Sequence, residues 1–272
     1  MVVFPNAKIN LGLRVTRKRD DGYHDIETIF YTVRWCDILE AIPDNSPGAK
    51  SISLTVTGNN SLSAEDNLCA RAYDLLSKDF RLPPVKAWLH KIIPIGAGLG
   101  GGSSDAAFML TLLNKLFSLG ISNNKMKQYA LSLGSDCSFF VDNKPAFAGG
   151  RGEVMAEIPQ VLKNYFTFIV KPGFSVSTAE AYRMVIPVRP ETSLKDLISL
   201  PVSEWKNKIV NDFETPLAEK YPEINFIKRK FYESGALFAL MSGSGSCVYG
   251  IYKTEADVSN LFPGYQCWKG IL

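Results

Sequence analysis

The chain has only two histidines and five cysteines in 272 residues, and their spacing argues against two kinds of site. The cysteines are odd in number and form no C-x-x-C pair, so reduced core thiols are expected rather than a disulfide framework. With His24 and His90 as the only imidazoles, a structural zinc site is not expected. Any metal should be a hard ion, and Mg²⁺ fits best.

Two longer features are also missing. No uninterrupted apolar run approaches the ~20 residues that a membrane span requires. No cluster of lysine and arginine interleaves with aromatic residues, so neither a membrane nor a nucleic acid is an expected partner. The stretch Met1 to Asn6 lacks a charged region followed by an apolar core, so we expect no signal peptide and a cytoplasmic location.

The overall composition is ordinary for a globular protein, with 46% hydrophobic and 21% charged residues. The formal net charge of +3 is mild and suits an anionic small molecule. Strand and helix patterns are mixed without strict alternation, which favours an α+β fold. Strands are predicted over 7–15, 26–33, 37–42, 51–57, 85–93, 137–141, 165–171, 236–241, 247–252 and 266–271, and helices over 66–78, 106–117, 123–133, 177–184, 203–213, 223–234 and 255–261.

The most informative segment runs from Pro94 to Ala107 and is rich in glycine. A strong helix pattern follows it, with Ser103, Ser104 and Asp105 as candidate N-cap residues. A loop of bare amides that opens a helix binds anions, because its N–H groups and the positive end of the helix dipole face one point. A phosphate chain is therefore the predicted ligand.

Other interpretations of this loop are weaker. Gly96 to Gly101 satisfies G-x-G-x-x-G, but a dinucleotide fold needs an acidic residue about 20 positions further on. No Asp or Glu lies between Asp105 and Asp136. No Gly-Lys-Ser/Thr follows, as a P-loop would require, and a flexible linker seldom separates a strand from a capped apolar helix.

Two further residues are candidates for catalysis. Strand periodicity places Lys8 and Asn10 on one face, opposite the apolar residues, where a lysine is ordinarily solvated. The neighbouring asparagine makes a functional face the better hypothesis, and a lysine ammonium can stabilise a transferring phosphoryl group. Asp136 ordinarily would only cap a turn, but apolar neighbours place it at the edge of the core, where it could accept a proton.

Two loops could bind other parts of a ligand. Tyr23 and His24 follow the turn Asp20-Asp21-Gly22, and together they offer a stacking face and hydrogen-bonding ring nitrogens for a base. The small residues of the loop 242–246 could form a tight hairpin only, or a second phosphate contact.

Three segments resemble the motifs of the GHMP small-molecule kinases. Pro94 to Ala107 resembles their phosphate loop, Pro5 to Leu11 their first motif, and Met241 to Gly245 their third. Four segments are similar to one branch of that family: 8–11, 21–24, 133–136 and 172–178. Departures are Ser135-Asp136-Cys137-Ser138, where relatives often have Ala-Asp-Val-Pro, and Ser246, where the third motif often ends in alanine.

The resemblance implies a two-domain α+β fold with the active site in a deep cleft between the domains. The sequence pattern resets near residues 157–164, so we expect a nucleotide-binding domain over 1–158 and a substrate-side domain over 159–272. The resemblance further implies ATP-dependent phosphorylation of the 2-hydroxyl of 4-diphosphocytidyl-2-C-methyl-D-erythritol in non-mevalonate isoprenoid biosynthesis. A monomer or a weak homodimer is expected.

The resemblance also assigns roles to individual residues. Asp136 matches the proposed base, Lys8 its cationic partner and Asn10 a polar contact near the transferred group. Tyr23 and His24 match a cytosine-recognising pair, and Asn67 and Lys91 resemble positions near the adenine. The ATP phosphate loop corresponds to Pro94, Ile95, Gly96, Ala97, Gly98, Leu99, Gly100, Gly101, Gly102, Ser103 and Ser104.

Three alternatives remain open at this point. Another member of the same superfamily could act on mevalonate, homoserine or a sugar, although it would give no reason for Tyr23 and His24. A dinucleotide-dependent oxidoreductase would explain the G-x-G-x-x-G pattern. A catalytically silent nucleotide-binding protein would not need both Lys8 and Asp136.

Overall fold

The computed structural model describes residues 1–58 and 67–272. The strands are β1 Val2–Val3, β2 Asn6–Lys18, β3 His24–Cys36, β4 Ile38–Pro43, β5 Ile52–Thr57, β6 Val85–His90, β7 Ala146–Gly149, β8 Val154–Glu157, β9 Phe166–Lys171, β10 Phe238–Met241, β11 Val248–Tyr252 and β12 Gln266–Ile271. The α-helices are α1 Leu68–Ser77, α2 Gly101–Leu116, α3 Asn123–Leu133, α4 Phe139–Asp142, α5 Thr178–Met184, α6 Leu194–Leu197, α7 Glu214–Lys220 and α8 Glu223–Glu233. The predicted mixture of helices and strands is confirmed.

The chain divides into two compact units, each assembled from separate stretches. The first unit contains Met1–Ala7, Trp35–Pro94 and Gly100–Lys144. The second contains Lys8–Arg34, Ile95–Leu99 and Pro145–Leu272. The domain boundary expected after residue 158 stays a prediction.

The first unit has a four-stranded sheet in the order β1-β4-β6-β5, in which only β5 and β6 are parallel. Alternation along β4 and β6 turns Leu39 and Leu89 to one face, where they join a buried cluster that includes Leu76 of α1 and Leu110 of α2. Complete burial of one such leucine contributes about 1.5–3 kcal/mol to folding. The sheet therefore supports α2, whose N-terminus the sequence marks as an anion site.

The second unit has two four-stranded sheets, in the orders β10-β11-β9-β12 and β2-β3-β7-β8. In its core the rings of Phe168, Phe231 and Phe262 contact one another, with centroids 5.1 to 6.2 Å apart. Leu13 and Val15, from the apolar face of β2, belong to the same buried cluster. The other face of β2 carries Lys8 and Asn10.

Three element predictions are wrong. The strand predicted over 137–141 is helical, because a 3-10 helix covers Ser135–Ser138 and α4 follows it. Phe139 and Phe140 are both buried, and a short apolar run does not distinguish a strand from a helix. The helices predicted over 203–213 and 255–261 are reduced to 3-10 turns at Val202–Glu204 and Ser259–Leu261.

The start of α2 also differs from the prediction. Gly100, with φ +70°, is its N-cap, and no side chain caps the helix. Ser103, Ser104 and Asp105 lie inside α2. The amide of Ser104 bonds the carbonyl of Gly100, so the three preceding N–H groups have no acceptor within the helix.

Two other expectations can be compared with the structure. All five cysteines are free, as expected. Within the part of the chain that the structure describes, no helix is long and apolar enough to cross a bilayer. The first residue of the helix predicted over 66–78 lies outside the described residues.

Candidate active site

The part of the glycine loop that belongs to the second unit, Ile95–Leu99, is held by its backbone. The N–H of Lys8 donates to the carbonyl of Leu99 at 2.9 Å, and the N–H of Cys247 donates to the carbonyl of Ala97 at 3.1 Å. Gly98 has a φ of +75°, and a Cβ placed on it would lie 2.0 Å from the carbonyl oxygen of Ser242. Glycine is therefore required at this position.

Lys8 and Asn10 are buried rather than solvated, with 3% and 2% of their surface exposed. The Lys8 ammonium donates to Asn10 Oδ1 at 2.6 Å and to the carbonyl of Gly98 at 3.0 Å. The amide nitrogen of Asn10 donates to the hydroxyl of Thr28, which in turn donates to the carbonyl of Gly12. This burial excludes the ordinary alternative, in which Lys8 is only a solvated surface lysine.

The loop 242–246 joins this cluster through Ser242. The buried Ser242 hydroxyl donates to the Gly98 carbonyl at 2.9 Å and accepts the N–H of Asn10 at 3.2 Å. The side chain of Asn211 donates to the carbonyls of Met241 and Gly243, each at 2.8 Å. The structure therefore joins the first motif, the glycine loop and the third motif in one hydrogen-bonded network.

Sequence reasoning missed Thr28 and Asn211. Thr28 lies in β3, and nothing in the surrounding sequence distinguishes it from any other strand residue. Asn211 lies in a stretch predicted to be helical, where an asparagine gives no signal of its own. Its side chain also accepts the N–H of Phe213 at 3.0 Å, so its amide is fully used in shaping the third motif.

Tyr23 and His24 follow a turn at Gly22, whose φ is +82°. Tyr23 is 58% exposed, and the Arg151 guanidinium lies 4.9 Å from the centroid of its ring. The ring of His24 stacks on Tyr182 of α5, with centroids 4.9 Å apart and planes inclined at 21°. The structure thus provides an aromatic surface with a partly covered imidazole, and sequence reasoning did not single out Tyr182.

In the first unit, the remaining part of the loop opens α2. The open amides at the start of α2 belong to Gly101, Gly102 and Ser103, next to the positive end of the helix dipole. The hydroxyl of Ser104 is buried and has no hydrogen-bond partner among the described residues. These N–H groups and the Ser104 hydroxyl can donate hydrogen bonds to an anionic oxygen without loss of an existing bond.

The side chain of Lys91 lies in a buried ion cluster. Its ammonium contacts a carboxylate oxygen of Asp37 and one of Asp105, the latter at 2.5 Å. The other oxygen of Asp37 accepts the N–H groups of Ile92 and Ile93. Burial raises the pKa of Asp105 to about 7, with the nearby Asp37 charge adding to the effect and Lys91 opposing it.

The two residues expected near the adenine have structural partners of their own. Besides the ion cluster of Lys91, Asn67 caps α1, because its Oδ1 accepts the N–H of Cys69 at 2.9 Å. The backbone N–H of Lys91 is also engaged, because it donates to the carbonyl of Thr57 at 2.9 Å. The adenine role of both residues stays a prediction.

Asp136 is half-buried in the 3-10 helix between α3 and α4. This helix packs against α2. Its neighbour Cys137 is fully buried, and burial, with the charge of Asp136 adding to it, raises the pKa of that thiol to about 11. The expected position of Asp136 at the edge of the apolar core is confirmed, whereas its role as a base stays a prediction.

The comparisons with known proteins agree on one family. The N-terminal domain model of the GHMP kinases matches residues 67–150, and the C-terminal model matches residues 195–264. A Bacteroides thetaiotaomicron protein named 4-diphosphocytidyl-2-C-methyl-D-erythritol kinase is 49% identical over 275 residues, with 100% of each chain covered. A Bacteroides fragilis protein of the same name is 47% identical over 274 residues, covering 99% of this chain and 98% of the relative.

The solved structures include a similar chain. The crystal structure of a 4-(cytidine 5'-diphospho)-2C-methyl-D-erythritol kinase matches with a TM-score of 0.82 at 29% identity. It covers 99% of this chain, and 98% of that chain is covered in return. The similarity therefore includes the three segments that resemble GHMP kinase motifs and the four segments that resemble one branch of that family.

Proposed function

This chain belongs to the GHMP kinase family, and on that premise we propose that it transfers a phosphoryl group from ATP to the 2-hydroxyl of 4-diphosphocytidyl-2-C-methyl-D-erythritol. That reaction is a step of non-mevalonate isoprenoid biosynthesis. The observation that carries the proposal is the near-half identity, over the full length, to relatives that bear this kinase's name. The G-x-G-x-x-G pattern is accounted for by a GHMP loop, so no dinucleotide chemistry is needed.

The groups proposed for ATP are the amides of the glycine loop. Ile95–Leu99 is held by two backbone hydrogen bonds, and its residues Ile95 and Gly96 are exposed. The first turn of α2 adds three open N–H groups and a positive dipole end. Phosphates bound in this way are oriented before reaction, which lowers the entropic part of the barrier.

Lys8 is proposed to stabilise the charge that develops during phosphoryl transfer. Its ammonium is held by Asn10 Oδ1 and the Gly98 carbonyl, so little reorganisation is needed when the charge appears. Burial strengthens that electrostatic effect, because the surrounding medium is less polarisable than water. Asn10 is proposed to orient the ammonium and to contact the transferred group.

Asp136 is proposed as the acceptor for the proton of the attacking hydroxyl. It lies half-buried in a 3-10 helix, directly before the buried Cys137 and near the buried Phe139 and Phe140. A loose transition state needs only modest help from a base, so orientation of the hydroxyl is part of the same role.

Magnesium is proposed to enter with the nucleotide. Across residues 1–58 and 67–272 there is no group of three or more His, Cys, Asp and Glu side chains that could hold a metal. Mg²⁺ would then be bound mainly by phosphate oxygens and water. The buried Ser104 hydroxyl is available as a neutral oxygen ligand. When bound, Mg²⁺ neutralises phosphate charge.

Tyr23 and His24 are proposed to bind the cytosine. A flat exposed ring and an imidazole held on Tyr182 suit a base with a π-face and a hydrogen-bonding edge. Members of the family that act on mevalonate, homoserine or a sugar have no such base to recognise. We also propose that the protein acts as a monomer or a weak homodimer.

A coupled assay for ADP release tests the function. The protein should release ADP from ATP with 4-diphosphocytidyl-2-C-methyl-D-erythritol as acceptor, and ³¹P NMR should show a new phosphomonoester. Mevalonate and homoserine, at equal concentration, serve as the controls and should give no ADP above background. Turnover with either control and none with the cytidylyl substrate would contradict the proposal.

A further inference from the structure

The segment 172–178, which connects β9 to α5, has no role in the function described so far. It packs against the glycine loop, which is proposed to bind ATP, and against the loop 242–246 of the third motif. The Cβ of Ser175 lies 3.6 Å from the point that a Cβ on Gly96 would occupy. The hydroxyls of Thr178 and Ser244 are 3.3 Å apart. Any displacement of this segment would therefore change its contacts with both loops.

One carbonyl fixes the middle of the segment. The carbonyl oxygen of Phe174 accepts two hydrogen bonds, from the Lys171 ammonium at 2.5 Å and from the Ser246 hydroxyl at 2.7 Å. Lys171 also donates to the carbonyl of Pro172 at 2.8 Å. The ring of Phe174 stacks on Tyr221, with centroids 4.3 Å apart and planes inclined at 6°. Both the backbone and the side chain of Phe174 are thus held.

The two donors come from different parts of the fold. Lys171 is the last residue of β9, and Ser246 is the last residue of the third-motif loop. Ser246 is fully buried and stands where the family motif often has alanine, which has no donor. In this chain the third motif therefore bonds the 172–178 segment through a side chain that an alanine would not provide.

We propose that Lys171 and Ser246 are positioning residues for ATP binding. By sharing the Phe174 carbonyl, they hold the 172–178 segment against Gly96 and Ser244, which keeps the glycine loop and the third motif ordered before the nucleotide arrives. Preorganisation of this kind reduces the entropy lost on binding. The inference rests on the proposed use of the glycine loop for ATP.

The shared acceptor gives the proposal a distinctive signature. Loss of one donor leaves the other in place, so each single substitution should weaken ATP binding only about three- to tenfold, the size expected for one hydrogen bond. Loss of both leaves the Phe174 carbonyl without either side-chain donor. The double variant should therefore lose more affinity than the product of the two single effects.

Calorimetry with a non-hydrolysable ATP analogue measures this directly on the full chain. The variants are Ser246→Ala, Lys171→Met and the double substitution, and kcat is determined for each with saturating ATP. We expect a raised Kd for the analogue, a matching rise in the KM for ATP, and a kcat within about twofold of the unsubstituted protein. Lys171→Arg, which keeps a charged donor, should recover most of the affinity.

Lys269→Met is the matched control. Lys269 lies on β12 beside β9, and its ammonium pairs with Asp257. Its loss should leave the Kd for the analogue unchanged. If the double variant is not folded, the comparison of Lys171→Met with Lys171→Arg decides the same question.

Two results separate this inference from the proposed function. If the unsubstituted protein does not bind the ATP analogue, the proposed function fails. If it binds and the Ser246→Ala, Lys171→Met and double variants bind equally well, the kinase function stands and the positioning role of Lys171 and Ser246 is wrong.

Discussion

The Lys8 ammonium lies 2.6 Å from Oδ1 of Asn10, and both side chains are almost completely buried. A buried ammonium costs several kcal/mol in lost hydration, so the fold retains it only with well-placed acceptors. The second acceptor, the carbonyl of Gly98, belongs to the glycine loop. The fixed positive charge is thus joined directly to the loop proposed to bind phosphate.

Lys8→Met should lower kcat by about 10²–10³ with little change in the KM for ATP, because the charge acts mainly in the transition state. Methionine has a similar length, so packing beside Phe30 is largely kept. Steady-state kinetics with both substrates checks this. A change confined to KM would assign Lys8 a binding role instead.

Asp136→Asn should reduce turnover by roughly 10²–10⁴, the usual range for loss of a proton acceptor. The amide has the same shape as the carboxylate, so the affinity for an ATP analogue should stay nearly the same. Single-turnover kinetics measures the turnover rate, and calorimetry on the same preparation measures the affinity for the ATP analogue. Normal turnover in this variant would remove Asp136 from the mechanism.

Gly98→Ala should destabilise the protein by about 3 kcal/mol, the sum of an unfavourable φ and a forced backbone shift. The Cβ would fall 2.0 Å from the Ser242 carbonyl, so the glycine loop must move and ATP-analogue binding should be lost. Gly149→Ala is the matched control, since its Cβ would meet only Phe147, at an ordinary 3.8 Å. Equal midpoints of urea unfolding for Gly98→Ala and Gly149→Ala would contradict the close packing of Gly98 against the Ser242 carbonyl.

The stability of the protein should depend on pH through Asp105. Burial raises the pKa of Asp105 from the usual 3.8 to about 7, so between these values the native state holds a proton that the unfolded chain releases. The stability contributed by this group is therefore fully present below about pH 4 and lost as the pH rises through about 7. Asp105→Asn removes this titration.

Urea unfolding of both proteins at several pH values between 4 and 8 measures the effect. The free energy of unfolding of the native protein, minus that of Asp105→Asn, should fall as the pH rises. A difference that rises over that range would show that the ion cluster with Lys91 and Asp37 keeps Asp105 ionised instead.

The parts of the fold that the sequence predicts well are those with a local signal. Alternating residues identify β2, and Ser177 marks the start of α5. The apolar run of Phe139 and Phe140 misleads because both residues are buried, and a short buried run fits a strand and a helix equally well. Helix α2 starts at a glycine, so its cap has no side-chain signature.

In the candidate site, too, the features with a local sequence signal are predicted and those without one are missed. The glycine loop and the Lys8–Asn10 pair are visible as motifs, because their chemistry depends on residues close in sequence. The burial of Lys8 is not visible, since it depends on Gly98 and Ser242, which lie far along the chain. Asn211 is missed for the same reason, because its partners are backbone carbonyls about 30 residues away.

The most direct measurement is a crystal structure with a non-hydrolysable ATP analogue. We expect phosphate oxygens within about 3 Å of backbone N–H groups in the stretch from Ile95 to Ser103, the distance of an ordinary hydrogen bond. A triphosphate bound elsewhere on the protein, with these amides facing only water, would contradict this expectation.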